Sequence, residues 1–328
     1  MNVPTVSHNG ITFINVTKPT KEQLDFLNKN FGFSMLNLED YLYKTQIPKI
    51  EVDKDKDYSL FVMDVPYIHQ AARNKIQSTK NNPFPALPKS AKRKRINIGE
   101  VDFFVGKDYL VVLHDERTPL IDDIFEMCKI ASKHREAYMG KGTDFLFYKI
   151  ADALVDSMFS YVEDITSTID YIDRQLEEKS GAALIEDISI TRRNIVVFET
   201  MIKPLLPIFT SLEQGKYPKF SKEMTDYWSN LLDHVQKIWE RLEDNKELIA
   251  GIASSNESIL SNRNNELVKF FTIITSISFP FVIINNLYSM NVVGLPYSQE
   301  PWIVAILFLL IFAGGISVVV YFKYRDWL

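Results

Sequence analysis

The chain has 328 residues, 24% of them charged, with a formal net charge of -5 and a mean hydropathy of -0.08. The acidic balance argues against general nucleic-acid binding, which needs a basic footprint. A single cysteine, Cys128, excludes an internal disulfide framework and fits a reducing compartment, and Met1 to Gly10 lacks the basic start and apolar core of a secretory signal.

Residues 1–136 read as an α/β domain. Gly10 to Val16 alternates apolar and polar residues as a half-buried strand does. Thr20 is placed to cap a helix reaching Asn30, with Leu24 and Leu27 at helical spacing. Tyr58 to Val65 and Tyr109 to His114 have the look of buried strands, and Thr118-Pro119 opens a helix expected to run to about Lys133. Between them, Lys89 to Arg95 is a basic run after a proline-containing, asparagine-rich stretch, read as a solvated loop or hairpin.

Residues 137–269 read as a helical bundle and stalk. Phe147, Ile150, Leu154, Met158, Tyr161, Ile165, Ile169, Ile172 and Leu176 step by three or four, so one apolar face persists. Gly181 is a stop signal, a second helix covers Ala183 to Lys203, and Pro204 and Pro207 are expected to end it. A third helix opens near Ser221 and keeps a seam of Met224, Trp228, Leu231, Val235, Ile238 and Leu242. No break separates that seam from the apolar region beyond it, which predicts one helix from Ser221 to Tyr288, on the order of 100 Å long.

Between Lys269 and Lys323 there is no Lys or Arg, and the one acid is Glu300. Phe270 to Tyr288 and Trp302 to Phe322 are each long enough, as helices, to cross a hydrocarbon core of about 30 Å. Residues 270–328 are therefore read as a two-helix transmembrane domain with a short external loop, 289–301. Arg263 and Lys269 precede the first span, Lys323 and Arg325 follow the second, and the loop has no basic residue. The positive-inside rule puts both termini in the cytoplasm of a multi-pass protein of the cell (inner) membrane.

On the first span Asn265, Thr272, Ser276, Phe279, Ile283 and Asn286 share one stripe at spacings of three, four and seven. Two helices per chain cannot enclose a channel, so conduction needs several subunits with this stripe toward their axis. Phe271 or Phe279 would then be a dry constriction. Thr272 and Ser276 taken alone are equally explained by hydroxyls bonding back to the helix. In the second span Ala313, Gly314 and Ser317 offer a small face for close packing.

Asn265-x-x-x-Lys269-x-x-Thr272, Phe279-Pro280, Tyr288-Ser289-Met290-Asn291-Val292-x-x-Leu295-Pro296 and the closing Arg325-Asp326-Trp327-Leu328 resemble the CorA family of divalent metal ion transporters. The likeness extends upstream through Ala153 to Met158, Ile169-Asp170-Tyr171-Ile172 and Arg192-Arg193, and so covers the whole chain. It implies a CorA-like funnel, an α/β cytoplasmic domain followed by a long helical stalk and two C-terminal transmembrane helices. It also implies a homopentamer whose pore is lined by the first span, with selectivity at Tyr288, Ser289, Met290 and Asn291.

The chemistry agrees with that implication. Mg²⁺ gives up its water shell reluctantly, and five Asn291 carboxamides around an axis would accept hydrogen bonds from the hydrated ion. The family pattern has glycine where this chain has Ser289. A turn needing positive φ there would cost serine about 1 kcal/mol, and a hydroxyl ring could change which ion fits. Gating by intracellular metal is implied as well, with Asp122 and Asp123 beside Asp226 or Asp233 as candidate ligands; Glu163, Asp164, Asp170 and Asp173 read as a wet helix face.

The expected function is Mg²⁺ uptake. The alternatives are the same architecture transporting Zn²⁺, Co²⁺ or Ni²⁺, and a non-conducting metal sensor or scaffold. Beyond the divalent cation no cofactor is expected, and the partners are the chain itself, the lipid bilayer and the ion, with no nucleic acid. The five histidines are scattered without metal-ligand spacing, and no phosphate loop or nucleophile elbow marks an enzyme.

Overall fold

A computed structural model describes residues 3–43, 46–52, 57–68, 95–178, 182–290 and 300–324. The backbone divides into two units, Met1–Ala253 and Ser254–Leu328.

In the first unit β1 (Thr5–His8) and β2 (Ile11–Thr17) form a hairpin. The turn between them is Asn9-Gly10, with φ of 48° and 79°, the pair of left-handed residues that a two-residue hairpin turn demands. After β2 come α1 (Lys21–Phe31), α2 (Met35–Tyr43), β3 (Lys49–Val52), β4 (Tyr58–Ile68), β5 (Ile96–Gly106) and β6 (Tyr109–His114). The expected cap is present: Thr20 Oγ1 accepts from the Gln23 N–H while Gln23 Oε1 accepts from the Thr20 N–H, a reciprocal capping box. Gly32 closes the helix in the left-handed conformation.

The strands form one sheet in the order β1-β2-β6-β5-β4-β3, antiparallel except for the parallel pair β2–β6. Strand alternation gives it two buried faces. Leu60, Val62, Phe104, Val111 and Leu113 pack with Leu24, Leu27 and Leu38 of the first two helices. Phe61, Met63, Val101, Phe103 and Val112 face the opposite way, into the larger core.

That larger core is built with α3 (Pro119–Ile130), α4 (Ser132–Met139), α5 (Thr143–Glu178), α6 (Ala182–Ile202), α7 (Leu205–Glu213) and α8 (Thr225–Ser289). It draws on residues from both sides of position 136, so sheet and helices share it. The periodic face predicted for α5 is the buried one, from Phe147 through Ile172. The stretch Leu184–Glu213 is long and apolar enough to cross a membrane, yet Phe198, Met201, Ile202, Leu205 and Phe209 are buried in this core.

Two expectations are corrected. The helix opened by Thr118-Pro119 stops at Ile130, because Ala131 is extended (φ -119°, ψ 124°), and α4 starts afresh after it. Pro204 ends α6, but Pro207 sits inside α7, in a first turn whose N–H groups have no intrahelical acceptor to lose.

Ser221 caps a 3₁₀ turn, Lys222–Met224, by accepting from the Glu223 N–H, and α8 follows as one unbroken helix of 65 residues. The second unit contains the latter part of α8 together with α9 (Pro301–Tyr324). The stop at Gly181, and Asn291 with the loop to residue 299, lie outside the described residues, as does the closing Arg325 to Leu328.

Candidate permeation stripe and metal cluster

Within the second unit, α8 and α9 meet along one seam. Ile273, Ile277, Phe281, Ile284 and Tyr288 are half-buried at steps of three or four, and Phe281 stacks on Phe308 with ring centroids 5.8 Å apart. A Cβ on Gly315 would come to 3.2 Å from Ile277, so Gly315 is the small residue of this contact. Gly314, named from sequence, has open space around it, and Ser317 bonds back to the Ala313 carbonyl.

Asn265, Thr272, Ser276, Phe279, Ile283 and Asn286 are all exposed in the single chain, Phe279 by 60%. At about 100° per residue, their stripe lies roughly 130° around the helix from the α9 seam. The second helix of the same chain therefore leaves this stripe uncovered. Thr272 Oγ1 donates to the Val268 carbonyl at 2.7 Å, which satisfies its hydrogen and leaves its lone pairs outward. Pro280 has no N–H, so the Ser276 carbonyl loses its usual helical donor, and that too falls on the stripe.

Ser289 is the last residue of α8, and its hydroxyl donates to the Asn285 carbonyl at 2.6 Å. Among the described residues the non-glycine positions with positive φ are Asn9 and Lys18. The strain considered for serine at the motif glycine does not arise, because the helix simply continues through it. Met290 follows, exposed, at the helix end. Glu300 accepts from Trp302 Nε1 at 2.8 Å, at the start of α9.

In the first unit, three ligand-type side chains converge. Asp152 and Asp156 are one turn apart on α5, and His234 on α8 reaches them, with Nδ1 3.0 Å from Asp156 Oδ1 and 3.9 Å from Asp152 Oδ1. Neither His234 Nδ1 nor Asp152 Oδ1 has a hydrogen-bond partner, though both atoms are buried. Burial raises the Asp152 carboxyl from its ordinary range, and the neighbouring Asp156 raises it further. Two oxygens and an imidazole nitrogen with unused lone pairs form a donor set suited to a divalent cation. Sequence reading passed over His234 as scattered. The fold brings it to acids 78 and 82 residues away, and the one local signal was the spacing of four between Asp152 and Asp156.

The acids proposed from sequence lie elsewhere. Asp122 Oδ1 accepts from Asn15 Nδ2 and Thr17 Oγ1, both at 2.7 Å, beside the fully buried His114. Asp233 pairs with Lys237 one turn on, and Asp123 and Asp226 are exposed. Among the described residues, the cluster that gathers three ligand groups is Asp152, Asp156 and His234.

Comparison with known proteins identifies the family and the fold. A family model described as CorA-like Mg²⁺ transporter protein matches residues 8–324. The cobalt/magnesium transport protein CorA of Thermotoga maritima is 26% identical over 274 residues, covering 83% of this chain and 77% of that one. The complete structure of the CorA magnesium transporter from Methanocaldococcus jannaschii superposes with a TM-score of 0.73 at 18% identity, over 95% of this chain and 92% of that chain. The full-length CmaX protein superposes with a TM-score of 0.67 over 96% and 88%. With the family model spanning nearly its whole length, this chain is a membrane protein of the CorA family.

Proposed function

We propose that this chain carries divalent metal cations, Mg²⁺ foremost, across the cell membrane through a homopentameric pore lined by the latter part of α8. The observation that carries the reading is the uncovered stripe from Asn265 to Asn286, polar and apolar by turns, on the face of α8 turned from α9. Around a common axis it supplies amides and hydroxyls to a hydrated ion, and Phe279 supplies a ring that excludes water. Tyr288, Ser289, Met290 and Asn291 would form the mouth, and the basic flanks would hold both termini in the cytoplasm.

Intracellular metal would gate the pore. The support for a ligand set lies in Asp152, Asp156 and His234, whose ligand atoms already converge; Asp122, Asp123, Asp226 and Asp233 remain secondary candidates across subunit contacts. The imidazole favours borderline metals such as Co²⁺, Ni²⁺ or Zn²⁺ over Mg²⁺, which supports a second reading with one of those as cargo or effector.

Flux into proteoliposomes at fixed inside-negative potential, compared for Mg²⁺, Co²⁺, Ni²⁺ and Zn²⁺, tests the function. Saturable uptake is expected; none from folded pentamers would favour the sensor or scaffold. For the cluster, Co²⁺ at about 100 times its dissociation constant is expected to stabilise the full chain by about 2.7 kcal/mol, read as a thermal shift. Asp152→Asn with His234→Ala removes that shift and leaves the metal-free melting temperature nearly unchanged. An equal shift in the double variant would move the effector site elsewhere.

A further inference from the structure

On one face of the sheet, three acids stand where the neighbouring residues are apolar. Asp64 in β4 lies directly opposite Glu100 in β5, and Asp102 follows two residues on. Their strand positions put them on the side of Leu60, Val62 and Phe104, under the cover of α1 and α2. Asp102 is 0% exposed and Asp64 4%. Both carboxyl oxygens of Asp102, and Oδ1 of Asp64, lack any hydrogen-bond donor.

Glu100 differs from the other two. Gln46, between α2 and β3, donates to it twice, from its N–H at 2.6 Å and from Nε2 at 3.3 Å. The other charged or titratable groups facing the cluster among the described residues are Lys49 of β3, Asp40 and Tyr41 of α2, Asp115, Glu116 and Arg117 just after β6, and Lys18 just after β2, which pairs with Glu116. Lys49 is paired with Glu51, and Arg117 with Asp115. Among the described residues, no free cation therefore neutralises the three acids. Their ligand atoms do not converge as those of Asp152, Asp156 and His234 do. A buried carboxylate without a cation or donors takes up a proton instead.

We propose that Glu100, Asp102 and Asp64 form a proton-binding site, in which Asp102 is a neutral acid donating to the Glu100 carboxylate, and that alkaline pH empties it and loosens the cover made by α2, Gln46 and β3. Glu100, with two donors, holds the negative charge. Asp102, with none, holds the proton, and it lies two residues from Glu100 on the same face of β5, where the Glu100 charge opposes its ionisation. Burial, reinforced by Glu100, pushes Asp64 up to about 7 and raises Asp102 well above the usual carboxylate range. An open pocket of about 480 Å³, walled by Glu100, Tyr41, Lys18 and Arg117, gives water a route for proton exchange. The folded chain keeps protons that the unfolded chain releases near pH 4. The stability they confer is full below that pH and is lost as pH rises through about 7.

The test uses the full chain in detergent. Infrared difference spectra between about pH 6 and about pH 9 are expected to show loss of a protonated-carboxyl stretch, diminished in Asp102→Asn and in Asp64→Asn. Over the same range, amides of α2 and β3 are expected to exchange faster in the wild type, after correction for intrinsic rates. In Asp102→Asn, where the carboxamide permanently donates to Glu100, that acceleration should fall by at least about half. A wild-type spectrum without a titrating protonated carboxyl, or one unaltered by either substitution, overturns the proposal. Exchange at α2 and β3 that ignores pH overturns the coupling.

Discussion

Proteoliposomes carrying Asn291→Ala are expected to take up Mg²⁺ at less than about a hundredth of the wild-type rate, from protein that remains oligomeric and folded. The size follows from the number of side chains lost at once. A hydrogen bond is worth about 0.5 to 1.5 kcal/mol net, more when it is aimed at the waters of a cation, and tenfold in an equilibrium constant is about 1.4 kcal/mol. In the proposed pentamer five carboxamides would be lost together, removing several kcal/mol from capture of the hydrated ion. Ser289→Gly is expected to act differently. Ser289 is helical and bonded to Asn285, with no backbone strain to relieve, so glycine should retain at least about half of the flux. A large gain on Ser289→Gly would mean that the hydroxyl obstructs the mouth. Normal flux in Asn291→Ala would remove the loop from selectivity and leave the stripe on α8 as the filter.

The stripe and the seam explain why a chain with two spans reads as a subunit. Along α8, the residues that touch α9 are Ile273, Ile277, Phe281, Ile284 and Tyr288, with Gly315 and Phe308 opposite. A lipid-facing surface has no use for Thr272, Ser276 and Asn286, since a polar group turned to hydrocarbon is costly and a water-lined axis is not. In the proposed pentamer, copies arranged with the seam outward and the stripe inward would satisfy both faces.

Features written in local chemistry were legible in the sequence. The spans show as uncharged runs, α5 as a repeat of three and four, and α1 through Thr20 and Gln23. The stripe followed from helical spacing alone. Features made by distant residues were hidden. His234 acquires its meaning from Asp152 and Asp156 on another helix, and nothing local marks it. Asp102 reads as an ordinary polar residue until the sheet buries it opposite β4. The strand β5 was missed because its apolar run is broken by Gly99, Glu100 and Asp102, the last two belonging to the buried acid cluster. The break at Ala131 escaped for the opposite reason. Alanine is the best helix former, and its extended backbone is imposed from outside, where Arg135 bonds the carbonyls of Cys128 and Lys129.

Phe147→Ala is expected to be the most damaging single truncation in the first unit, costing about 3 to 5 kcal/mol. The ring is fully buried and joins three layers. It meets Phe61 of β4 at 5.0 Å and Phe103 of β5 at 5.2 Å, both edge-on, and Trp228 of α8 at 5.6 Å. Sheet, α5 and the start of α8 are pinned at this one point, and the cavity left by alanine has rigid aromatic walls that cannot collapse into it. A unit of this size loses about 2 to 4 °C per kcal/mol, so the full chain in detergent should melt on the order of 10 °C lower, followed by circular dichroism. Phe147→Leu keeps most of the volume and should cost less than half as much. Equal losses for leucine and alanine would show that edge-on ring geometry, rather than filled volume, holds the layers together. Negligible loss for both would show that sheet and stalk helix are held by contacts elsewhere in the core.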